Sequence, residues 1–147
     1  MRVGDLLRAK GGDVVTIRPD ATVGRAVRLL MDHRIGGLPV VDSEGPPVGF
    51  VAERDIVRAL DIARGGVHDV PVDRIMRRPP PTCSVTDELK DVMTRMTRDR
   101  LRHLVVIDGD RLAGVLSVGD LVHHRLQELE IEAGVLRDYV AARRASP

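Results

Sequence analysis

The sequence predicts an α/β (α+β) protein made of two βαββα repeats, packed about an approximate twofold axis and followed by a long C-terminal helix. Three observations carry this reading. Two stretches match each other in register, each reads as strand, helix, strand, strand, helix, and the last stretch keeps an unbroken helical period. Arg34-Ile35-Gly36-Gly37-Leu38-Pro39-Val40-Val41-Asp42 aligns with Arg100-Leu101-Arg102-His103-Leu104-Val105-Val106-Ile107-Asp108 at an offset of 66. Gly49-Phe50-Val51-Ala52-Glu53-Arg54-Asp55-Ile56-Val57 aligns with Gly114-Val115-Leu116-Ser117-Val118-Gly119-Asp120-Leu121-Val122 at an offset of 65. The turn between the two blocks is therefore one residue shorter in the second copy, a change that turns absorb readily.

The elements of the first copy follow in order. Asp13 to Arg18 is a short apolar run that predicts a strand, and Pro19-Asp20 turns the chain towards Thr22, a candidate helix N-cap. Val23, Ala26, Val27, Leu30 and Met31 recur at three- and four-residue spacing, which predicts a helix with one apolar face. Leu38 to Val41 and Val48 to Val51 flank a Gly/Pro turn and predict a hairpin. A helix over Glu53 to Asp61 closes the copy, with two acids in its first turn to complement the helix dipole. Half a module of this size buries too little to stand alone, so the copies are expected to share a core. The organisation is residues 1–64 for the first repeat, 65–125 for the second, and 126–147 for a helical extension, with a linker near Ala63 to Val70.

Composition narrows the function classes. In 147 residues, 23 Lys and Arg balance 22 Asp and Glu, and Phe50 and Tyr139 are the only aromatics. A chain without a net field or stacking rings is not expected to bind nucleic acid. No run approaches the roughly 18 apolar residues of a membrane span, so a cytoplasmic address is expected. Cys83 is the sole cysteine and reads as a buried apolar thiol. His123 and His124 diverge by about 100° on a helix, and His33 and His68 lack partners at ligand spacing, so no metal site is expected. Nor is there a nucleophile with its base or a phosphate-loop lysine, and no catalytic residue is assigned.

The repeated pattern of "TVGRAVRLLMDHRIGGLPVVD" with "VGFVAERDIVRAL", and of "VMTRMTRDRLRHLVVIDGDRLAGVLSVGDLV", resembles the cystathionine beta-synthase (CBS) domain pair, or Bateman module, over about residues 1 to 125. The resemblance implies a regulatory protein with no required cofactor. Its ligand would be an adenosine nucleotide or derivative, AMP, ADP, ATP or S-adenosylmethionine, held in clefts between the copies. It also implies modules that pair into flat homodimeric discs and signal to a protein target by conformational or oligomeric change. The alternative is a ligand-free structural dimerisation adaptor.

The residues offer an independent check. A carboxylate can accept from both hydroxyls of a ribose, and a neighbouring hydroxyl adds a donor and acceptor. Ser117 and Asp120 supply that pair, and with Gly114 and Val115 they match the family's ribose motif. Ser-x-x-acid is equally a capping box that needs no ligand. In the first copy Ala52 replaces the serine while Asp55 stays in register, either accepting a diol or pairing with Arg54 or Arg58 on the surface. Arg100, Arg102 and His103 precede a strand and could grip phosphate, though each taken alone reads first as a solvated surface charge. Their counterparts include Gly36 and Gly37, which permit close backbone approach. In the family Thr16 and Thr82 end the first strands near the same clefts, although exposed hydroxyls need no ligand to explain them.

From Gly119 to Ser146 the chain lacks proline, and Val122, Leu126, Leu129, Ala133, Leu136 and Val140 keep a four, three, four, three, four spacing. This is an a/d seam. It predicts either a helix folded back on its own module or an oligomer contact, and a length of roughly 37 Å favours the contact.

Overall fold

A computed structural model describes residues 1–43 and 45–145. Residue 44 of the first hairpin turn and the last two residues of the expected extension lie outside them. The order is α1 (Val3–Lys10), α2 (Val23–His33), β1 (Gly37–Val40), β2 (Gly49–Ala52), α3 (Glu53–Ala63), two single 3-10 turns (Val67–Asp69 and Val72–Arg74), β3 (Thr82–Ser84), α4 (Leu89–Arg98), β4 (His103–Asp108), β5 (Arg111–Ser117) and α5 (Val118–Ala145). Both repeats show the expected mixture of helices and a small sheet, and α5 is the expected long helix.

The repeat extends to the backbone. Ile17 bridges Val40 in parallel as Cys83 pairs with Val106, and β1–β2 matches the antiparallel pair β4–β5. Arg34 and Arg100, at the same place in the two copies, both take left-handed backbone angles, φ 54° and 53°. In the first copy this is the cap that stops α2, with the Arg34 N–H bonded to the Leu30 carbonyl.

The strand expected over Asp13 to Arg18 shrinks to the single bridge at Ile17. Pro39 explains the loss on the N-terminal side of Ile17, and Pro19, the counterpart of Val85, explains it on the other. In the second copy Val105, the counterpart of Pro39, donates its N–H to the Pro81 carbonyl at 2.8 Å and extends the ladder. Proline has no N–H to make that rung.

The two cores do not follow the sequence halves. Val3 and Leu6 of α1 are buried with Cys83, Leu89, Val92, Met96, Leu104, Val106, Leu116 and Leu121, in the core of the second repeat. Val67 and Val72 are buried with Ile17, Val23, Ala26, Leu30, Leu38, Val40, Val51 and Ile56, in the core of the first. Each lead-in segment thus completes the other repeat. The exchange is symmetric: Arg2 bridges Glu88 before α4, and Pro71 bridges Thr22 before α2. The expected linker near Ala63 to Val70 is accordingly not free, because Val67 is buried and the Val70 carbonyl accepts from the Val23 N–H at 2.8 Å.

Thr22 caps α2 as expected, its hydroxyl accepting from the Arg25 N–H at 3.1 Å. The apolar face expected for α2 divides, however. Val23, Ala26 and Leu30 are buried, whereas Val27 and Met31 are exposed, as are Val57 and Leu60 of α3. Cys83 is buried as expected, and burial pushes its thiol up to about 11.

Candidate functional site

Two cavities lie where the repeats meet. The first, of about 430 Å³, is walled by the end of α1, the Gly11 to Val15 segment, the start of β1, and the end of β5 with the first turn of α5. Gly36, Gly37, His103, Ser117 and Asp120 line it. The second, of about 580 Å³, is walled by Gly36, the end of β2 with the first turns of α3, the Ile75 to Arg77 segment, and the Arg100 to His103 lead into β4. Asp55, Arg100, Arg102 and His103 line this one. Gly36 and His103 thus face both. Thr16 and Thr82 are exposed and belong to neither wall.

The acid at each cleft is fixed by the strand-to-helix junction that precedes it. Asp120 accepts from the Ser117 N–H at 2.9 Å, and its own N–H donates to the Ser117 hydroxyl at 3.1 Å, a complete capping box. At the first repeat Asp55 accepts from the Ala52 N–H at 2.8 Å, but alanine has no hydroxyl to return the bond. Arg58 approaches Asp55 to 3.9 Å. The sequence anticipated both arrangements.

It did not anticipate Lys10. This last residue of α1 donates to Asp120 Oδ2 at 2.9 Å and to the Val115 carbonyl at 3.1 Å. Burial pushes the Asp120 carboxyl up, but the bonds from Lys10 and from Ser117 outweigh it and hold the group below its ordinary value. The Lys10 and Ser117 N–H bonds both fall on Oδ2, so Oδ1 takes part in neither. Lys10 reaches this cleft only because α1 packs on the second repeat, and no spacing in the sequence announces that exchange.

The clefts differ in charge. Arg54, Arg58, Arg77, Arg100 and Arg102 line the Asp55 cleft against Glu53 and Asp55. At the Asp120 cleft Lys10 and Arg34 balance Asp13 and Asp120. Arg102 therefore does not share a cavity with Asp120, although both come from the second copy. His103 contributes no full charge near neutral pH. Burial lowers its pKa most, Lys10 and Arg102 lower it further, and Asp120 and Glu53 only partly offset them. Its ring stands 5.3 Å from that of Phe50.

The space beside the two glycines is taken by side chains of the protein itself. A Cβ on Gly37 would lie 2.4 Å from the buried Phe50 ring, and one on Gly36 would lie 3.3 Å from His103. Among the described residues no cluster of His, Cys, Asp or Glu could hold a metal ion, and no helix is long and apolar enough to cross a membrane.

The model of the CBS domain matches this chain twice, over residues 3–62 and 72–127. The chain belongs to the CBS domain family. A CBS-domain protein of Agrobacterium tumefaciens superposes on the pair with a TM-score of 0.79 at 37% identity, covering 85% of this chain and 99% of that one. A CBS domain protein of Pyrobaculum aerophilum, solved in complex with AMP, superposes with a TM-score of 0.75 at 32% identity, covering 90% and 99%. In sequence the pair is 33% identical to part of an inosine-5'-monophosphate dehydrogenase of Methanocaldococcus jannaschii, over 77% of this chain. The match spans only 22% of that dehydrogenase. Against an uncharacterized 17.7 kDa protein of Acidianus ambivalens the CBS pair is 30% identical over 82% of its own length and 73% of the relative's.

Proposed function

We propose that this CBS pair is a non-enzymatic sensor that binds an adenosine nucleotide or derivative between its repeats and passes the bound state to a protein target. One observation carries the reading. A carboxylate, Asp120, stands with a hydroxyl, Ser117, at a helix N-terminus that lines a cavity of about 430 Å³ between the copies. A ribose diol would find its acceptor at the Asp120 oxygen that neither Lys10 nor the Ser117 N–H engages. The AMP complex of the Pyrobaculum protein, at 32% identity, supports an adenosine ligand.

Phosphate is better served in the neighbouring cleft. Arg54, Arg58, Arg77, Arg100 and Arg102 offer bidentate donors there, and Asp55 remains as a ribose acceptor without its hydroxyl partner. Thr16 and Thr82 stand outside both walls and take secondary roles at most.

The pair is also proposed to form a homodimer through the apolar residues its helices leave exposed. Val27 and Met31 of α2, Val57 and Leu60 of α3, and Val118, Val122 and Leu126 of α5 supply that surface.

The competing reading is a structural adaptor with vestigial clefts. Lys10 favours it, because it already neutralises Asp120. A thermal-shift panel of AMP, ADP, ATP, S-adenosylmethionine and NAD separates the two, since a ligand that binds only the folded state raises its stability. A shift with any adenosine ligand, lost in Asp120→Ala, supports the sensor. A flat panel supports the adaptor.

A further inference from the structure

Among the described residues the C-terminal half of α5 has no partner within its own chain. From Leu129 to Ala145 every residue except Gly134 is exposed, including Leu129, Ala133, Leu136 and Val140 of the a/d seam. The fold-back expected as one reading of the helix is therefore absent among the described residues. A row of this length left in water is costly, and the charges beside it say what covers it.

Along the seam Leu126, Ala133 and Val140 fall at a, and Val122, Leu129 and Leu136 at d. The flanking g positions are then Arg125 and Glu132, and the flanking e positions Glu130 and Arg137. In a parallel, in-register pair each g residue meets the e residue five places on in the other helix. Arg125 would meet Glu130 of a second copy, and Glu132 would meet Arg137 of a second copy. Both pairs are opposite in sign, and each occurs twice by symmetry. Gly134 falls one place after Ala133, off the seam, so it costs helix propensity without interrupting the packed face. A second apolar row, Ile131, Val135 and Tyr139, steps by four residues and drifts about 40° per step. It has no comparable charge frame.

We propose that the tails of two copies of this chain pair as a parallel, in-register coiled coil over residues 122–140, with Arg125–Glu130 and Glu132–Arg137 contacts between the copies. Val122 and Leu126 belong both to this seam and to the apolar surface of the module, so the contact is continuous with the dimer proposed above. The orientation rests on that dimeric reading, and the two fail separately.

Mild oxidation of full-length Leu129→Cys and Leu136→Cys tests the pairing, with Val135→Cys and the parent chain as controls. A parallel in-register pair sets each seam position opposite itself, so both seam variants should link to disulfide dimers while Val135→Cys does not. Charge reversal supplies a second readout. Glu132→Arg and Arg137→Glu should each weaken dimerisation about fivefold, and the double variant should restore it. Linkage at only one seam position, at neither, or preferentially at Val135→Cys overturns the parallel register. If the full chain still sediments as a dimer in that case, the module-face dimer stands and the tail pairing falls. A monomer at micromolar concentration removes both.

Discussion

The ammonium of Lys10 lies 2.9 Å from a carboxylate oxygen of Asp120, joining the first helix of the chain to the first turn of the last. One residue thus ties the exchanged α1 segment to the candidate ribose acceptor.

Lys10→Met should lower stability by about 1 kcal/mol, the worth of a half-exposed charged hydrogen bond. The acid limb of the stability curve should change as well. Asp120 titrates below its ordinary value in the folded chain, so its contribution is present above the unfolded value and lost as pH falls through the lowered folded one. Removing Lys10 weakens that depression. Urea unfolding between pH 3 and 7 should show a shallower acid loss in the variant, and identical slopes would mean that Lys10 does not hold Asp120 in solution.

His103 governs a higher window. Its folded pKa lies below the ordinary value, so the unfolded chain takes up the proton first and stability falls as pH drops below about 6.5. His103→Gln should flatten the dependence of the melting temperature between pH 5.5 and 7.5. A parallel decline in both proteins would place the titration elsewhere.

Gly37 and Gly24 should respond oppositely to alanine. At Gly37 the added carbon meets the buried Phe50 ring at 2.4 Å, and overpacking of this kind costs about 1–3 kcal/mol. At Gly24 it meets the His68 imidazole at 2.3 Å, but that side chain is 80% exposed and can swing away. Gly24→Ala should therefore be neutral or gain up to about 1 kcal/mol of helix propensity. Equal losses at both sites, read by urea denaturation, would show that the Phe50 contact is not the limiting one.

Arg102→Ala should weaken ATP far more than adenosine, because loss of a charge-assisted contact costs about 1.5–3 kcal/mol, roughly tenfold or more in affinity. Competition calorimetry reads the ratio. If both ligands weaken equally, Arg102 shapes the fold and does not read phosphate.

The sequence made the repeat, the hairpins and the capping pair at Ser117 and Asp120 legible because each depends on residues close together in the chain. The shortened first strand was hidden in Pro39 and Pro19, whose missing N–H groups matter only once their partners are known. The exchange of lead-in segments was not legible, since Val3 and Val72 look alike whichever core they enter. Lys10 was missed for that reason. Arg102 was legible as a candidate cation, but its cavity was not, because the cleft it lines is closed by Asp55 from the other copy.

Titration of adenosine, which carries no phosphate to draw it to the arginine-lined cleft, into the parent chain, Asp120→Ala and Asp55→Ala, with the fold of each checked by circular dichroism, tests directly whether Asp120 accepts the ribose. If the ribose sits on Asp120, adenosine binds the parent saturably and folded Asp120→Ala at least tenfold more weakly, with a smaller loss in Asp55→Ala. Undiminished affinity in Asp120→Ala, or the absence of binding heat in the parent with AMP, adenosine and ATP alike, would contradict it.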